Sequence, residues 1–148
     1  MKDIQYKRKW NKMKNNFDYR YETEIDKNQL VLLFKSVAWK TAEYPNRLYS
    51  AIKNSDYVMS VWDNNELIGL ISAISDGAIN VFITYLLVKP EYQKQGIGKI
   101  LLTDFCKKFE GFGRRIVSTE IDKEEFYNKF GFVINGIVLF NKDWKNDF

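Results

Sequence analysis

The sequence predicts a single α/β (α+β) domain: a mixed, mostly antiparallel central sheet of about six strands flanked by about four helices. Three observations carry this. The chain has 148 residues, 45% of them hydrophobic and 16% aromatic, enough for one core and too few for two. Between Phe82 and Lys99 an apolar, β-branched run leads through a glycine-bearing turn straight into residues of helical spacing, so strand, turn and helix follow without a break. Upstream, the turn signals Asp63-Asn64-Asn65 and Asp76-Gly77 separate three apolar runs by short intervals, as in an antiparallel meander.

Taken in order, Phe17 to Ile25 alternates as a first strand, and Asp26 is placed to cap a helix. Leu30, Val31, Leu33, Phe34 and Val37 form a helical stripe, predicting a helix over 27–38. Trp39 to Pro45 breaks the pattern, and a second helix is expected from Asn46 with Leu48, Tyr49 and Ile52 inward. Strands follow over 57–62 and 67–74, then over 81–88, where Pro90 stops the ladder. Ile97, Ile100, Leu101 and Phe105 place a third helix that runs to about Phe109, with Gly111-Phe112-Gly113 releasing it. A fifth strand is predicted over 116–121, a short helix opened by the capping box Asp122-Lys123-Glu124-Glu125 and closed at Gly131, and a final strand over 132–140. The order is β-α-α-β-β-β-α-β-α-β.

The net charge of +4 is concentrated in an N-terminal arm, residues 1–16, where six basic residues face only Asp3; the domain proper is expected over 17–148. With the remainder slightly acidic, a global nucleic-acid surface is not indicated. No run reaches the roughly 18 apolar residues of a membrane span, and the charged N-terminus lacks the apolar stretch of a signal peptide. A single cysteine, Cys106, excludes an internal disulfide, and the cytoplasm is the simplest compartment.

The turn after the strand carries the chemistry. A strand-to-helix turn offers unpaired N–H groups at the positive end of a helix dipole, glycine lets an anion approach the backbone, and Lys94 and Lys99 add charge. The ligand class this predicts is a phosphate or pyrophosphate. A P-loop requires Gly-Lys-Ser/Thr, which is absent, and the dinucleotide fingerprint requires a glycine where Leu101 stands. What remains is Gln93-x-x-Gly96-x-Gly98 behind a strand ending in Val-x-Pro, which resembles the acetyl-CoA signature Gln/Arg-x-x-Gly-x-Gly/Ala of the GNAT N-acetyltransferase superfamily. A second motif, Phe126-Tyr127 followed by Gly131-Phe132, resembles the Phe-Tyr-x-x-x-Gly-Phe segment after that family's fifth strand, and the two stand in the expected order.

The resemblance implies the GNAT fold and an N-acetyltransferase moving an acetyl group from acetyl-CoA to an amine in a ternary complex. In that family the fourth and fifth strands splay, and the pantetheine arm lies between them like an added strand. Leu86, Leu87 and Val88 would supply the edge, with the Leu87 N–H facing the thioester carbonyl. Gln93, Lys94, Gln95, Gly96, Ile97, Gly98 and Lys99 would surround the pyrophosphate. Tyr127 takes the family's tyrosine position and is the candidate general acid, since a phenol stays protonated at neutral pH; the bland reading is an aromatic pair that packs a helix. The chain has no histidine, so the amine proton falls to a carboxylate or a water chain, with Glu120 the first candidate and Asp76 a second, though Asp-Gly is equally a turn. Many relatives carry an acid near Tyr85, where this chain has a tyrosine.

The acceptor would meet Trp39, Glu43, Tyr44 and Tyr85, a set that is equally a group of core aromatics; Tyr49 and Trp62 are further aromatics of that region. No metal is expected. Two rival readings stand beside the enzyme: a non-catalytic acyl-CoA-binding module of the same fold, and an adaptor acting through the basic arm. An exposed last strand would also permit a homodimer.

Overall fold

In the computed structural model, residues 16–139 are described; the basic arm, Asn16 excepted, lies outside them. Five strands form one sheet in chain order. These are β1 (Asp18–Tyr21), β2 (Tyr57–Asp63), β3 (Glu66–Ser75), β4 (Asn80–Val88) and β5 (Arg114–Val117). The first four run antiparallel to their neighbours, and β5 lies parallel to β4. Four helices flank the sheet: α1 (Lys27–Ser36), α2 (Pro45–Lys53), α3 (Ile97–Lys108) and α4 (Glu124–Asn128).

Local chemistry explains the boundaries. Asp26 caps α1 by accepting the Gln29 N–H at 3.0 Å, as its position in the sequence implied. The helix ends at Ser36, two residues early, because Ala38 takes a left-handed φ of 58°. Pro45 opens α2 at its first turn, where a missing N–H costs nothing. The single core expected from length and composition is corrected: the sheet is covered by helices on both faces and buries a separate core on each. Ile97, Ile100, Leu101 and Phe105 of α3 lie on one with Val61, Ile71, Val81 and Ile83; Leu30, Leu33, Phe34, Leu48 and Ile52 lie on the other with Leu67, Leu70 and Leu87.

Three expectations give way. The residues of 132–139 form no strand; Val133, Ile134, Ile137 and Leu139 are 64–84% exposed, and Gly136 turns at φ 92°. Hydrophobic alternation supplies a strand with its side chains but not with a partner, and β5 is the edge instead. The dimer expected through a last strand loses that strand. The capping box is absent as well: Asp122 sits inside a 3₁₀ turn (Ile121–Lys123) and pairs with Lys123 at 3.4 Å, while α4 begins without a side-chain cap. The fifth strand starts at Arg114 and stops at Val117, leaving Glu120 in the loop beyond it.

Candidate active site

The site grows from an irregularity in β4. Ser72 pairs with Tyr85 and Ala73 with Ile83, so Thr84 is an extra residue, a β-bulge. Before it, the odd residues Val81 and Ile83 face the α3 side; after it, Leu86 and Val88 do, while Tyr85 and Leu87 turn to α1. The parallel pairing with β5 ends at Ile83 and Val117, one residue short of the bulge. Beyond that point, among the described residues, β4 has a strand neighbour only on its β3 side.

Backbone alternation decides which amides face the gap. Lys89 donates its N–H to Ile68 O at 2.8 Å, so the Leu87 N–H points to β3 as well, and those of Leu86 and Val88 point away from it. The expectation for Leu87 is corrected accordingly: the free donors on this edge belong to its neighbours. The Val88 carbonyl on the same side accepts the Gln93 side chain at 2.9 Å. That bond ties the following loop to the strand edge.

The loop then enters α3 through two left-handed residues, Lys94 (φ 61°) and Gly96 (φ 87°), the latter being the N-cap. Ile100 is the first residue to bond back within the helix, to Gly96 O at 3.0 Å, which leaves the N–H groups of Ile97, Gly98 and Lys99 as the helix's unpaired donors. The glycines serve different ends. A Cβ on Gly96 would meet nothing within 4 Å, so its requirement is conformational; one on Gly98 would touch Phe126 Cζ at 3.6 Å.

A cleft of about 930 Å³ joins these parts. Leu86, Leu87, Val88, Gln93, Lys94, Gly96, Ile97, Gly98 and Lys99 line it, as do Tyr127, Glu120 and Trp39. Gln95, Glu43, Tyr44 and Tyr85 are not among the lining residues. Tyr85 is turned into the core instead, 4.9 Å from Phe34 and 5.9 Å from Trp39 between ring centres. Burial raises its hydroxyl pKa, against a smaller opposing hydrogen bond from Thr41.

Asp76 is spent on its turn, where its carboxylate accepts the N–H groups of Asn80, Ala78 and Ile79 at 2.8–2.9 Å. These bonds hold its pKa far below the usual carboxylate range. Cys106 is half-buried in α3, with burial pushing its thiol up.

The second motif closes the far wall. Gly131 takes φ 83°, letting Phe130 and Phe132 bond back to the Tyr127 carbonyl at 2.9 and 3.3 Å. Tyr127 is held edge-on between Phe126 at 5.1 Å and Phe132 at 5.7 Å, and only 8% of it is exposed. Burial pushes its pKa up to about 12. No described residue hydrogen-bonds its hydroxyl, and no described buried polar atom lacks a partner, so the hydroxyl opens onto the cleft.

The sequence reading missed Thr84, Ser118 and Thr119, which bring hydroxyls to the same cleft; Thr84 is held by the fully buried Ser72, oxygen to oxygen 2.7 Å. The available signal for Thr84 was a lone aliphatic hydroxyl within an otherwise apolar and aromatic run, Val81 to Val88.

The arrangement is an unpaired strand edge leading to a helix N-terminus inside one cleft, with a buried phenol opposite: a site built for an extended ligand that ends in an anion. The acetyltransferase (GNAT) family matches residues 22–132, and the chain belongs to that family. A histone acetyltransferase, TAP1, of Glycine max is 32% identical over 122 residues, covering 74% of this chain and 52% of that protein, so this chain spans about half its length. A GNAT-family acetyltransferase from Streptococcus pneumoniae superposes with a TM-score of 0.74 at 25% identity, over 86% of this chain and 99% of that one. An aminoglycoside N-acetyltransferase solved with CoA shares the fold, with a TM-score of 0.65 at 15% identity over 86% and 95% of the two chains.

Proposed function

We propose that this protein transfers an acetyl group from acetyl-CoA to a primary amine by direct attack within a ternary complex. The observation that carries the proposal is the continuity of the cleft, from the free β4 edge at Leu86 and Val88 to the N–H groups of Ile97, Gly98 and Lys99. Acetyl-CoA, when bound, supplies the activated acyl group as a thioester. Leu86 and Val88 would pair with its pantetheine arm as an added strand would, and one of their N–H groups would meet the negative charge that develops on the acyl oxygen. The α3 donors with Lys94 and Lys99 would neutralise the pyrophosphate.

Tyr127 would donate to the departing sulfur. Its elevated pKa, caused by burial, keeps it protonated and so able to donate. The amine must shed a proton before it attacks; a water beside the Thr84 and Thr119 hydroxyls would relay it to the Glu120 carboxylate, which would become protonated. Trp39, 39% exposed at the cleft, offers a face for the acceptor's cationic form. The cytoplasm remains the proposed compartment, on the single cysteine; no described helix is long and apolar enough to cross a membrane.

Non-catalytic acyl-CoA binding is the second reading, favoured by the retreat of Glu43, Tyr44 and Tyr85 from the cleft. Calorimetric titration with CoA and acetyl-CoA, alongside Gly96→Glu, tests the site. Binding by the unsubstituted chain and its loss in the variant are expected, because a carboxylate there faces the phosphates from a strained left-handed position. Equal affinity in both would end the assignment of the loop. CoA binding with no thiol release across a panel of primary amines would select the second reading.

A further inference from the structure

The β2–β3 hairpin turns through Asn64-Asn65, which sets Asp63 and Glu66 opposite each other at its tip. Two carboxylates beside a loop that binds an anion work against that loop unless they are engaged. Both are engaged, and with the same short segment. The Tyr92 hydroxyl donates to Asp63 Oδ2 at 2.9 Å, while Asn64 orients the other carboxylate oxygen at 3.2 Å. Lys89, whose side chain is only 9% exposed, pairs with Glu66. Between them Pro90–Tyr92 form a 3₁₀ turn, and the Tyr92 ring rests edge-on against Phe17 at 5.7 Å.

We propose that the hairpin tip is a clamp in which Asp63 and Glu66 act as positioning residues for the anion-binding loop, through Tyr92 and Lys89. The inference rests on the reading of the cleft as the CoA site. From the pinned Tyr92 to Ile97, which is 1% exposed, only four residues intervene, two of them left-handed. A loop that short, fixed at both ends, presents the N–H groups of Ile97, Gly98 and Lys99 already ordered, so the ligand does not meet the entropy of arranging them. Released at Tyr92, the loop keeps its sequence and loses its preorganisation. The clamp bears on the loop at the pyrophosphate end; Tyr92 also lines the cleft, and the loop meets the β4 edge where Gln93 bonds the Val88 carbonyl.

The test is calorimetry on the full chain with two probes, CoA and pantetheine, for Tyr92→Phe, Lys89→Met and the pair together, with hydrogen exchange over residues 93–99. One net hydrogen bond lost from preorganisation predicts CoA binding about 3- to 10-fold weaker for Tyr92→Phe, and more for the pair, with pantetheine affinity unchanged. Exchange over 93–99 should quicken while β2 and β3 stay protected.

Asp63→Ala makes the same cut from the exposed hairpin and serves if Tyr92→Phe fails to fold; Asp63→Asn, which keeps an acceptor oxygen, should restore most of the affinity. CoA affinity within twofold of the unsubstituted chain, or equal losses for CoA and pantetheine, overturns the clamp. Failure of the unsubstituted chain to bind CoA overturns the site reading itself, and the clamp with it.

Discussion

Tyr127 is 8% exposed, and its hydroxyl, which no described residue hydrogen-bonds, opens onto the cleft where a ligand can use it. Tyr127→Phe removes the oxygen and keeps the ring that packs on Phe126 and Phe132, so the fold should stand. Under the proposed mechanism, kcat for acetyl transfer falls about 100-fold or more while the KM for acetyl-CoA stays within about twofold. An unchanged kcat would return Tyr127 to a packing role. The pH profile follows from the direction of the shift. With the folded pKa raised to about 12 from 10.0, the phenol stays protonated through the alkaline range, so Tyr127 imposes no loss of rate between pH 8 and 10. An alkaline limb in that window, if measured, belongs to another group. Some of this was legible in the chain: a glycine needed at positive φ, or a tyrosine inside a two-motif pattern, shows in residue type. Asp76 was harder, because one carboxylate at Asp-Gly serves a turn or a base equally well until its three backbone partners are seen.

At the scale of the element, β4 illustrates what a pattern conceals. The run from Val81 to Val88 is apolar almost throughout, so it predicts a strand without saying which side chain faces which core. The bulge at Thr84 is therefore absent from the sequence reading, and so is the assignment of free amides to Leu86 and Val88. A pair of proline substitutions separates the two sets. Leu87→Pro deletes a ladder N–H directed at β3, which a paired strand does not tolerate, and should show as a large drop in thermal stability. Val88→Pro deletes an N–H directed at the cleft, on an edge where proline is tolerated; the domain should remain folded and lose CoA affinity in titration. Reversal of that order would place the free edge on Leu87 after all.

Across the whole molecule, the antiparallel run from β2 to β4 and the inward stripes of the helices follow from short-range signals, turns two or three residues long and helical spacing; the division into two cores does not, because length and composition point to one. The last strand failed because strand formation needs a neighbour, and no alternation of side chains encodes where one lies. That failure is measurable. Ile137→Ser, at a site 84% exposed, should change unfolding free energy by less than about 0.5 kcal/mol. Phe34→Ala, fully buried between α1 and the sheet, should cost about 3–5 kcal/mol in the same denaturant titration. A loss of more than about 1 kcal/mol for Ile137→Ser would show that 132–139 is part of a core.

The extra residue in β4 also acts as a shift of reading frame. On its N-terminal side, odd positions face α3; on its C-terminal side, even ones do. Removing Thr84 would join the halves in a single phase and leave every side chain chemically intact. Both halves would keep their present faces and their present partners on β3, because Ile83 opposite Ala73 would be followed directly by Tyr85 opposite Ser72. Tolerance along this strand is thus a matter of parity: the extra residue can be lost without exchanging the two faces, and what would go with it is the local bend of the strand beside the end of its pairing with β5.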